Sequence, residues 1–462
     1  MKDLKKVINN QRKFFDNGET INVRKRIQHL KLLKKVLKKN KDNIFSALKS
    51  DLGKPNSEIW LAEINVLEDE LNNFINNLKK WSKIKKVKSK WYNFPSKDFI
   101  LPEPYGCTLH IAPWNYPFQL ALTPLVGAVG AGNTVILKPS EHASKTGLLI
   151  KKIIEQVFDK DWVYVAVGGP ELGKKLLTFK WDYIFFTGGV EVGKIVAKAA
   201  TKNLTPITLE LGGKNPCIVD ETANISVSAR RIVWGKFMNC GQICMAPDYL
   251  LLSNKIFEKF IAQLKIEIIK MFGKNPIKSN DYGRIIHKDH LDKMKNLIKG
   301  QNVIYGGKFN DSELYFEPTI ILINSKKNLI MESEIFGPIL PIIKYTEESE
   351  IKQIIKSFNK PLSFYVFSNR KRWAQNIMQT FSFGGGMIND VIVYFTNERL
   401  PFGGVGNSGI GRYHGKFSFE TFSHFKPIVK RYTLIDPSFR YPPYGKALSI
   451  LKKLLSFRFF LM

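Results

Sequence analysis

Apolar residues recur at two different periods along this chain. Over residues 1–81 the period is helical: Ile27, Leu30, Leu33 and Val36 share one face, and so do Leu61, Ile64, Leu67 and Leu71, with long basic faces opposite. Gly53-Lys54-Pro55 separates these two helical groups. Residues 82–102 are charged and predict an extended connector that ends at Pro102 and Pro104. From Gly106 onward, short apolar runs predict strands over 107–112, 134–137, 162–165 and 183–186, with helices around 121–129 and 146–158 between them. Buried strands alternating with helices predict a parallel sheet covered on both faces. After residue 210 the alternation resumes as a second α/β unit, with strands expected over 218–219, 249–252, 319–323 and 363–367.

Composition narrows this picture. A chain of 462 residues exceeds one ordinary core and implies two or three domains, and a hydrophobic content of 44% argues against disorder. The net charge of +31 comes from 71 Lys and Arg against 40 Asp and Glu. Lysines are spread along every surface-like helix, and no RNA-binding or helix-turn-helix signature accompanies them, so a sequence-wide bias is expected and not a nucleic-acid partner. The 4 cysteines, Cys107, Cys217, Cys240 and Cys244, form no CxxC pair and no zinc set, so no metal is expected. So few in so long a chain point to a reducing compartment. The start, Met1-Lys2-Asp3-Leu4-Lys5-Lys6, lacks the apolar core of a signal peptide, and no run approaches the ~20 apolar residues of a membrane span. A cytoplasmic-side protein, soluble or peripherally membrane-associated, is expected.

Two segments carry candidate chemistry. Asn239-Cys240-Gly241-Gln242-Ile243-Cys244-Met245-Ala246-Pro247 sets a cysteine in a small, polar flank unlike a core strand. A backbone N–H at the turn could depress the thiol pKa and receive an oxyanion. From these residues alone, a buried structural cysteine and a reactive thiol are equally open. Upstream, Leu209-Glu210-Leu211-Gly212-Gly213-Lys214-Asn215-Pro216 places one carboxylate in an apolar, glycine-rich setting, where its pKa is expected to rise. A thiol nucleophile and a carboxylate base are the two groups needed to make a thioester and hydrolyse it.

These two segments resemble the cysteine and glutamate segments of the aldehyde dehydrogenase superfamily. Five further motifs match in the family's order: Pro113-Trp114-Asn115-Tyr116-Pro117, the run 132–141 ending Lys138-Pro139-Ser140-Glu141, Phe186-Thr187-Gly188-Gly189, Glu334-Ile335-Phe336-Gly337-Pro338 and the run 400–406. The run 408–424 resembles the class 3 and fatty aldehyde dehydrogenase branch. The resemblance implies a Rossmann-like cofactor domain (1–81 and 103–209), a second α/β catalytic domain (210–417), a bridging element for oligomerisation (82–102 and 418–436) and a tail (437–462). It implies NAD(P)-dependent oxidation of an aldehyde, of medium or long aliphatic chain, through a thiohemiacetal and thioester on Cys244. Asn115 would hold the oxyanion and Glu210 would activate water. Lys138 and Glu141 would hold the adenosine ribose, Gly188 and Gly193 the pyrophosphate, and Glu334 and Phe336 the nicotinamide ribose and ring. Glu141 favours NAD, while Lys138 leaves room for NADP. Val190 departs from the threonine usual in this branch. Cys240 departs too, and a helical spacing of four would bring it close enough to Cys244 for a reversible disulfide.

The tail adds one more expectation. In residues 445–462, Lys446, Ser449, Lys452, Lys453 and Ser456 fall on one helical face, and Leu448, Ile450, Leu451, Leu454, Leu455, Phe459 and Leu461 on the rest. Arg458 and Phe460 are the exceptions. Such a helix suits a membrane interface, with packing over a partner subunit or over the substrate entrance as the competing reading. A homodimer is expected. Two rival functions are a CoA-acylating aldehyde dehydrogenase, which would not need Glu210, and a catalytically silent membrane-bound scaffold, which would need none of Cys244, Glu210 and Asn115.

Overall fold

Two mainly parallel sheets form where the short apolar runs lie. The computed structural model describes residues 2–90, 93–323 and 328–459. The first sheet has six strands in the order Gly409–Ile410, Ile207–Glu210, Tyr183–Thr187, Cys107–Ile111, Thr134–Lys138 and Val163–Val165. All are parallel except the Gly409–Ile410 edge. The second sheet has seven, in the order Asn302–Tyr305, Thr319–Leu322, Ile339–Tyr345, Tyr249–Ser253, Pro216–Val219, Ser363–Phe367 and Gly385–Ile388. Its Asn302–Tyr305 edge is antiparallel and the rest parallel. Val135, Ile136 and Leu137 are fully buried in succession, as a strand covered on both faces requires.

Both sheets belong to one compact unit, Met1–Ser82 with Pro104–His424. The helix Lys416–Thr421 packs here, against Gln119–Ala131. The second unit, Lys83–Glu103 with Phe425–Met462, is built on antiparallel pairing of Lys85–Val87 with Ser96–Pro104, and the strand Ser423–Arg431 completes the three-stranded sheet. The connector expected over 82–102 therefore contains strands. Their lysines hid the alternation because this small sheet leaves much of its surface to solvent. In the tail, Ala447–Phe459 is helical, and Leu448, Ile450 and Leu451 are exposed. The side chains from Leu454 onward, which the expected apolar face includes, lie outside the described residues. Among the described residues no helix is long and apolar enough to cross a membrane.

The N-terminal helices depart from their expected register at one place. Ile59–Asn65 is a π-helix, set between Asn56–Glu58 and Val66–Trp81. Its widened turn breaks the 3.6-residue period. Leu61 consequently points outward, 60% exposed, while Ile64, Leu67 and Leu71 stay buried.

Helix Val66–Trp81 packs on Gln119–Ala131 through Gly130, where an added Cβ would lie 2.4 Å from the Phe74 ring. Gly130→Ala is expected to destabilise the fold by about 1–3 kcal/mol in urea unfolding, because overpacking outweighs the ~1 kcal/mol that alanine gains in helix propensity.

Candidate active site

The nucleophile segment is built on a left-handed turn. After helix Ile225–Phe237, Asn239 (φ 50°), Cys240 (φ 54°) and Gly241 (φ 73°) are left-handed in succession. For the two residues with a Cβ this costs about 1–2 kcal/mol each. Hydrogen bonds hold the turn. The Asn239 N–H donates to Glu58 at 2.9 Å, and Gln242 Nε2 donates to Asn239 O at 3.0 Å and Arg284 O at 2.9 Å. Gly241 is required by proximity as well as by φ, since a Cβ would lie 2.4 Å from the Gly337 carbonyl. Beyond the turn, Asn215 Nδ2 donates to Cys244 O at 2.7 Å and Ala246 O at 3.0 Å, and Tyr365 Oη donates to Met245 O at 2.7 Å. The backbone around Cys244 is thus fixed on both sides.

This geometry corrects the expected helical pairing of Cys240 with Cys244. Cys240 sits in the left-handed turn, fully buried, and its Sγ donates to Tyr282 Oη at 3.4 Å. Burial pushes its thiol up to about 12. The helical spacing on which the disulfide expectation rested does not exist.

Cys244 is half-buried and lies where two cavities meet. One cleft is lined by Cys244, Asn115, Gly188, Glu210, Glu334 and Phe336. The other cavity is largely apolar, with Leu120, Met238, Ile243, Ile392, Phe395 and Phe402 among its walls. Burial raises the Cys244 pKa, and the charges of Glu334 and Glu210 raise it further; the N–H groups of Cys244 and Met245 pull the other way but do not prevail. The depressed thiol pKa expected from the turn is therefore reversed, because desolvation outweighs two backbone dipoles.

Glu210 ends the strand Ile207–Glu210 and is buried. Neither carboxylate oxygen has a hydrogen-bond partner among the described residues, and burial raises its pKa well above the carboxylate range. An unpaired buried carboxylate holds its proton at neutral pH or takes one from a neighbour. Tyr116 Oη and Thr187 Oγ1, whose residues line the apolar cavity beside Glu210, also have no hydrogen-bond partner among the described residues. Asn115 follows the strand Cys107–Ile111, and its Nδ2 donates to Gln242 O at 3.1 Å, leaving its second N–H for the cleft.

Lys138 and Gly188 sit at the carboxyl ends of first-sheet strands, where open parallel sheets bind ligands, whereas Glu334 and Phe336 precede the strand Ile339–Tyr345 of the second sheet. Lys138 ends the strand Thr134–Lys138, in register with Ile111, and its Nζ lies 2.7 Å from Glu141 Oε2. Burial pushes the Glu141 carboxyl up, but hydrogen bonds and the Lys138 charge hold it below its usual value. Gly189 caps the helix Val190–Thr201 without a side-chain bond, and nothing lies within 4 Å of where its Cβ would be. The free N–H groups of that first turn make an anion site. Gly188 and Gly193 serve close packing: a Cβ would meet the Phe186 ring at 2.5 Å and Leu211 at 2.7 Å. Gly212 leaves room for the Glu334 carboxylate, 2.1 Å from where a Cβ would stand. Glu334 is pushed up to about 8, first by burial and then by the charge of Asp248. Phe336 is left-handed (φ 56°), its carbonyl bonded to His290 Nε2 at 2.7 Å and its ring 5.3 Å from Trp114. This open helix end, its glycine cradle and the paired Lys138–Glu141 fit a dinucleotide.

The cleft thus gathers Cys244, Glu210, Asn115, Gly188, Glu334 and Phe336, whereas Lys138, Glu141 and Gly193 stand outside its wall. Sequence reasoning missed the residues that hold these groups: Lys54, Glu58, Glu63, Asn215, Asn239 and Gln242. A signal was present in Gly53-Lys54-Pro55, a lone lysine followed by two glutamates among apolar residues, but it reads equally as a helix break. Because Cys107, Cys217 and Cys240 are buried, thiol alkylation reports on Cys244. Its rate is expected to keep rising above pH ~8.5, the ordinary thiol pKa. Glu334→Gln, by removing the negative charge that Glu334 carries above pH about 8, is expected to accelerate alkylation in that range; a profile unmoved there contradicts the electrostatic assignment.

Comparison with known proteins gives the family. The aldehyde dehydrogenase family model matches residues 1–428. The chain is 44% identical to the 4,4'-diaponeurosporen-aldehyde dehydrogenase of Staphylococcus aureus, over 93% of this chain and 94% of that one. It is 42% identical to the "Aldehyde dehydrogenase, dimeric NADP-preferring" of Rattus norvegicus, over 96% and 98%. The substrate-bound state of Staphylococcus aureus AldH superposes with a TM-score of 0.96 at 42% identity, covering 98% of this chain and 99% of that one. On these matches the chain belongs to the aldehyde dehydrogenase family, as an oxidoreductase that acts on aldehydes with a nicotinamide cofactor.

Proposed function

We propose that this enzyme oxidises medium- to long-chain aliphatic aldehydes to carboxylic acids through a thioester on Cys244. The observation that carries the reading is Glu210, a buried carboxylate with no partner among the described residues, in one cleft with Cys244 and Asn115 and bordering an apolar cavity. The Cys244 thiol yields its proton to a carboxylate of raised pKa, Glu210 or Glu334, which passes it to solvent before the hydrolytic step, and the sulfur adds to the aldehyde carbon. The carbonyl oxygen becomes an oxyanion, held by Asn115 Nδ2 and the Cys244 N–H. A bound nicotinamide supplies a hydride acceptor at this stage. Cys244 is then left with the acyl group as a thioester. Glu210 takes a proton from water, the hydroxide adds to the acyl carbon, and collapse breaks the C–S bond and releases the carboxylate.

Lys138 and Glu141 would hold the adenosine ribose, Gly188 and Gly193 the turn beside the pyrophosphate, and Glu334 and Phe336 the nicotinamide ribose and ring. Glu141 disfavours a 2′-phosphate and Lys138 favours one, so both NAD and NADP are accepted; the rat relative's name supports NADP. The apolar cavity suits an alkyl chain. The nicotinamide-binding domain comprises 1–81 and 103–209, the catalytic domain 210–417, the bridge 82–102 with 418–436, and the tail 437–462. The bridge serves homodimerisation, supported by exposed Phe425, Ile428 and Val429 on its strand and by the dimeric relative. The tail, with Leu448, Ile450 and Leu451 exposed beside lysines, lies on a cytoplasmic-side membrane surface.

Purified enzyme is expected to form NADH or NADPH from decanal and to release decanoic acid, with no acyl-CoA when CoA is added; acyl-CoA as product would transfer the reading to the CoA-acylating class. Glu210→Gln is expected to lower kcat by about 10²–10⁴-fold while a covalent acyl adduct on Cys244 accumulates in the mass spectrum. In the wild type, kcat should rise with pH as the raised Glu210 carboxyl ionises, and Glu210→Gln should abolish that rise. Deleting residues after Tyr444 should release the protein from sedimenting anionic vesicles, and unchanged partitioning would refute the anchor.

A further inference from the structure

A buried cation and two carboxylates stand behind the site, unused by the chemistry above. The side chains of Lys54 and Glu63 are fully buried and meet at 2.5 Å. Lys54 touches two consecutive residues of the site. Its Nζ donates to Asn115 O at 2.8 Å and lies 3.9 Å from the centre of the Tyr116 ring. Glu63 extends the grip: its other oxygen accepts from the N–H groups of Phe118 at 3.2 Å and Gln119 at 2.9 Å, at the start of helix Gln119–Ala131. Residues 115–119 are therefore held from one side by a single ion pair.

Glu58 reaches the nucleophile segment by accepting from the Asn239 N–H. Asn239 Nδ2 in turn donates to Asn115 O at 2.9 Å and to Gln242 O at 3.1 Å. The Asn115 carbonyl thus receives both Lys54 and Asn239, which fixes its peptide, while the Nδ2 bond to Gln242 O directs its side chain. The π-helix Ile59–Asn65 explains how both carboxylates reach one place. Its i→i+5 hydrogen bonding brings residues five apart, such as Glu58 and Glu63, onto one face, where an α-helix would separate them. Stability alone is a poor reason for the cluster, because a buried ion pair is often no better than apolar residues of the same volume. Burial lowers the Lys54 pKa and raises that of Glu63.

We propose that Lys54 is a positioning residue for the oxyanion site, fixing the Asn115 backbone and through it the amide that receives the developing charge, with Glu63 and Glu58 as anchors. The inference rests on the aldehyde-oxidation reading and names one working part of it. Lys54 touches no reacting atom, so its contribution passes entirely through Asn115.

The test compares Lys54→Met/Glu63→Gln, which removes both charges of the ion pair together, with Asn115→Ala and with the three changes combined. Two rates are measured: kcat and KM for decanal with NAD, and alkylation of Cys244 by iodoacetamide, which forms no oxyanion. The expected result is a kcat lower by about 100-fold with KM little changed, alkylation near the wild-type rate, and no further loss of kcat when the pair is combined with Asn115→Ala. Lys54→Arg keeps the charge opposite Glu63 and so protects the fold. Its planar fork does not replace an ammonium donor, and it should lose about tenfold in kcat with the same dependence on Asn115. Losses that multiply in full with Asn115→Ala, alkylation that falls in parallel with kcat, or an unchanged kcat in Lys54→Arg would each overturn the proposal. A wild-type enzyme that forms no NADH from decanal would sink the functional reading itself, whereas an active wild type with additive variants sinks only the role of Lys54.

Discussion

The left-handed turn at Asn239, Cys240 and Gly241 is the constraint on which the active site depends. It turns the chain out of helix Ile225–Phe237 and delivers Cys244 to the junction of two cavities. Two of its residues carry a Cβ, so the conformation costs about 2–4 kcal/mol. It persists because the surroundings over-determine it. Asn239 alone makes hydrogen bonds to Glu58, Asn115 and Gln242 and accepts one more from Gln242, and each contributes about 1 kcal/mol. The restraint and the strain are of the same size. The nucleophile is therefore held by polar bonds from elements distant in sequence and not by local helix propensity.

Burial acts on the site's three acidic groups in one direction. Cys244, Glu210 and Glu334 are all pushed upward, chiefly by desolvation; the charges of Glu334 and Glu210 raise Cys244 further, and that of Asp248 raises Glu334. At rest the cleft favours neutral, protonated groups. The same low dielectric strengthens each hydrogen bond aimed at a negative charge that develops later. A sulfur anion is thus disfavoured in isolation, and the environment that disfavours it is the one that would reward a hydrogen-bonded oxyanion. The ascent in pKa and the capacity to stabilise a transient anion have a common cause.

Much of the fold was legible because buried parallel strands are continuous apolar runs, as at Thr134–Lys138 and Tyr183–Thr187. Strands that break the run were missed: Ile339–Tyr345 contains Pro341, and Gly385–Ile388 begins with two glycines. That Cys244, Glu210 and Asn115 share one cleft followed from motifs far apart in sequence. The direction of the Cys244 shift was not, since it depends on how much water the fold removes, a tertiary quantity. The geometry of Cys240 was misread for a related reason. A spacing of four implies proximity only on a helix, and the helix ends at Phe237. Lys54, Glu58 and Glu63 stayed hidden because a π-turn, invisible to a 3.6-residue period, brings the two carboxylates to one face.

The glycines of the site act in pairs with segments far away in sequence. Gly212 stands against the Glu334 carboxylate and Gly241 against the Gly337 carbonyl, so the segment 334–337 is seated between two backbones stripped of side chains. Asp248 Oδ1 accepts the Ile335 N–H at 3.0 Å, and Lys293 Nζ donates to Glu334 O at 2.9 Å. These contacts hold Phe336 in a left-handed conformation that a bulky residue rarely adopts. A Cβ on either glycine would drive the carboxylate or the carbonyl outward and move Glu334 and Phe336 away from Cys244. The Gly-Gly after Glu210 and the Gly before Gln242 are therefore best understood as the space into which another motif fits. The motifs lie far apart along the chain, and what each glycine does is visible only where they meet.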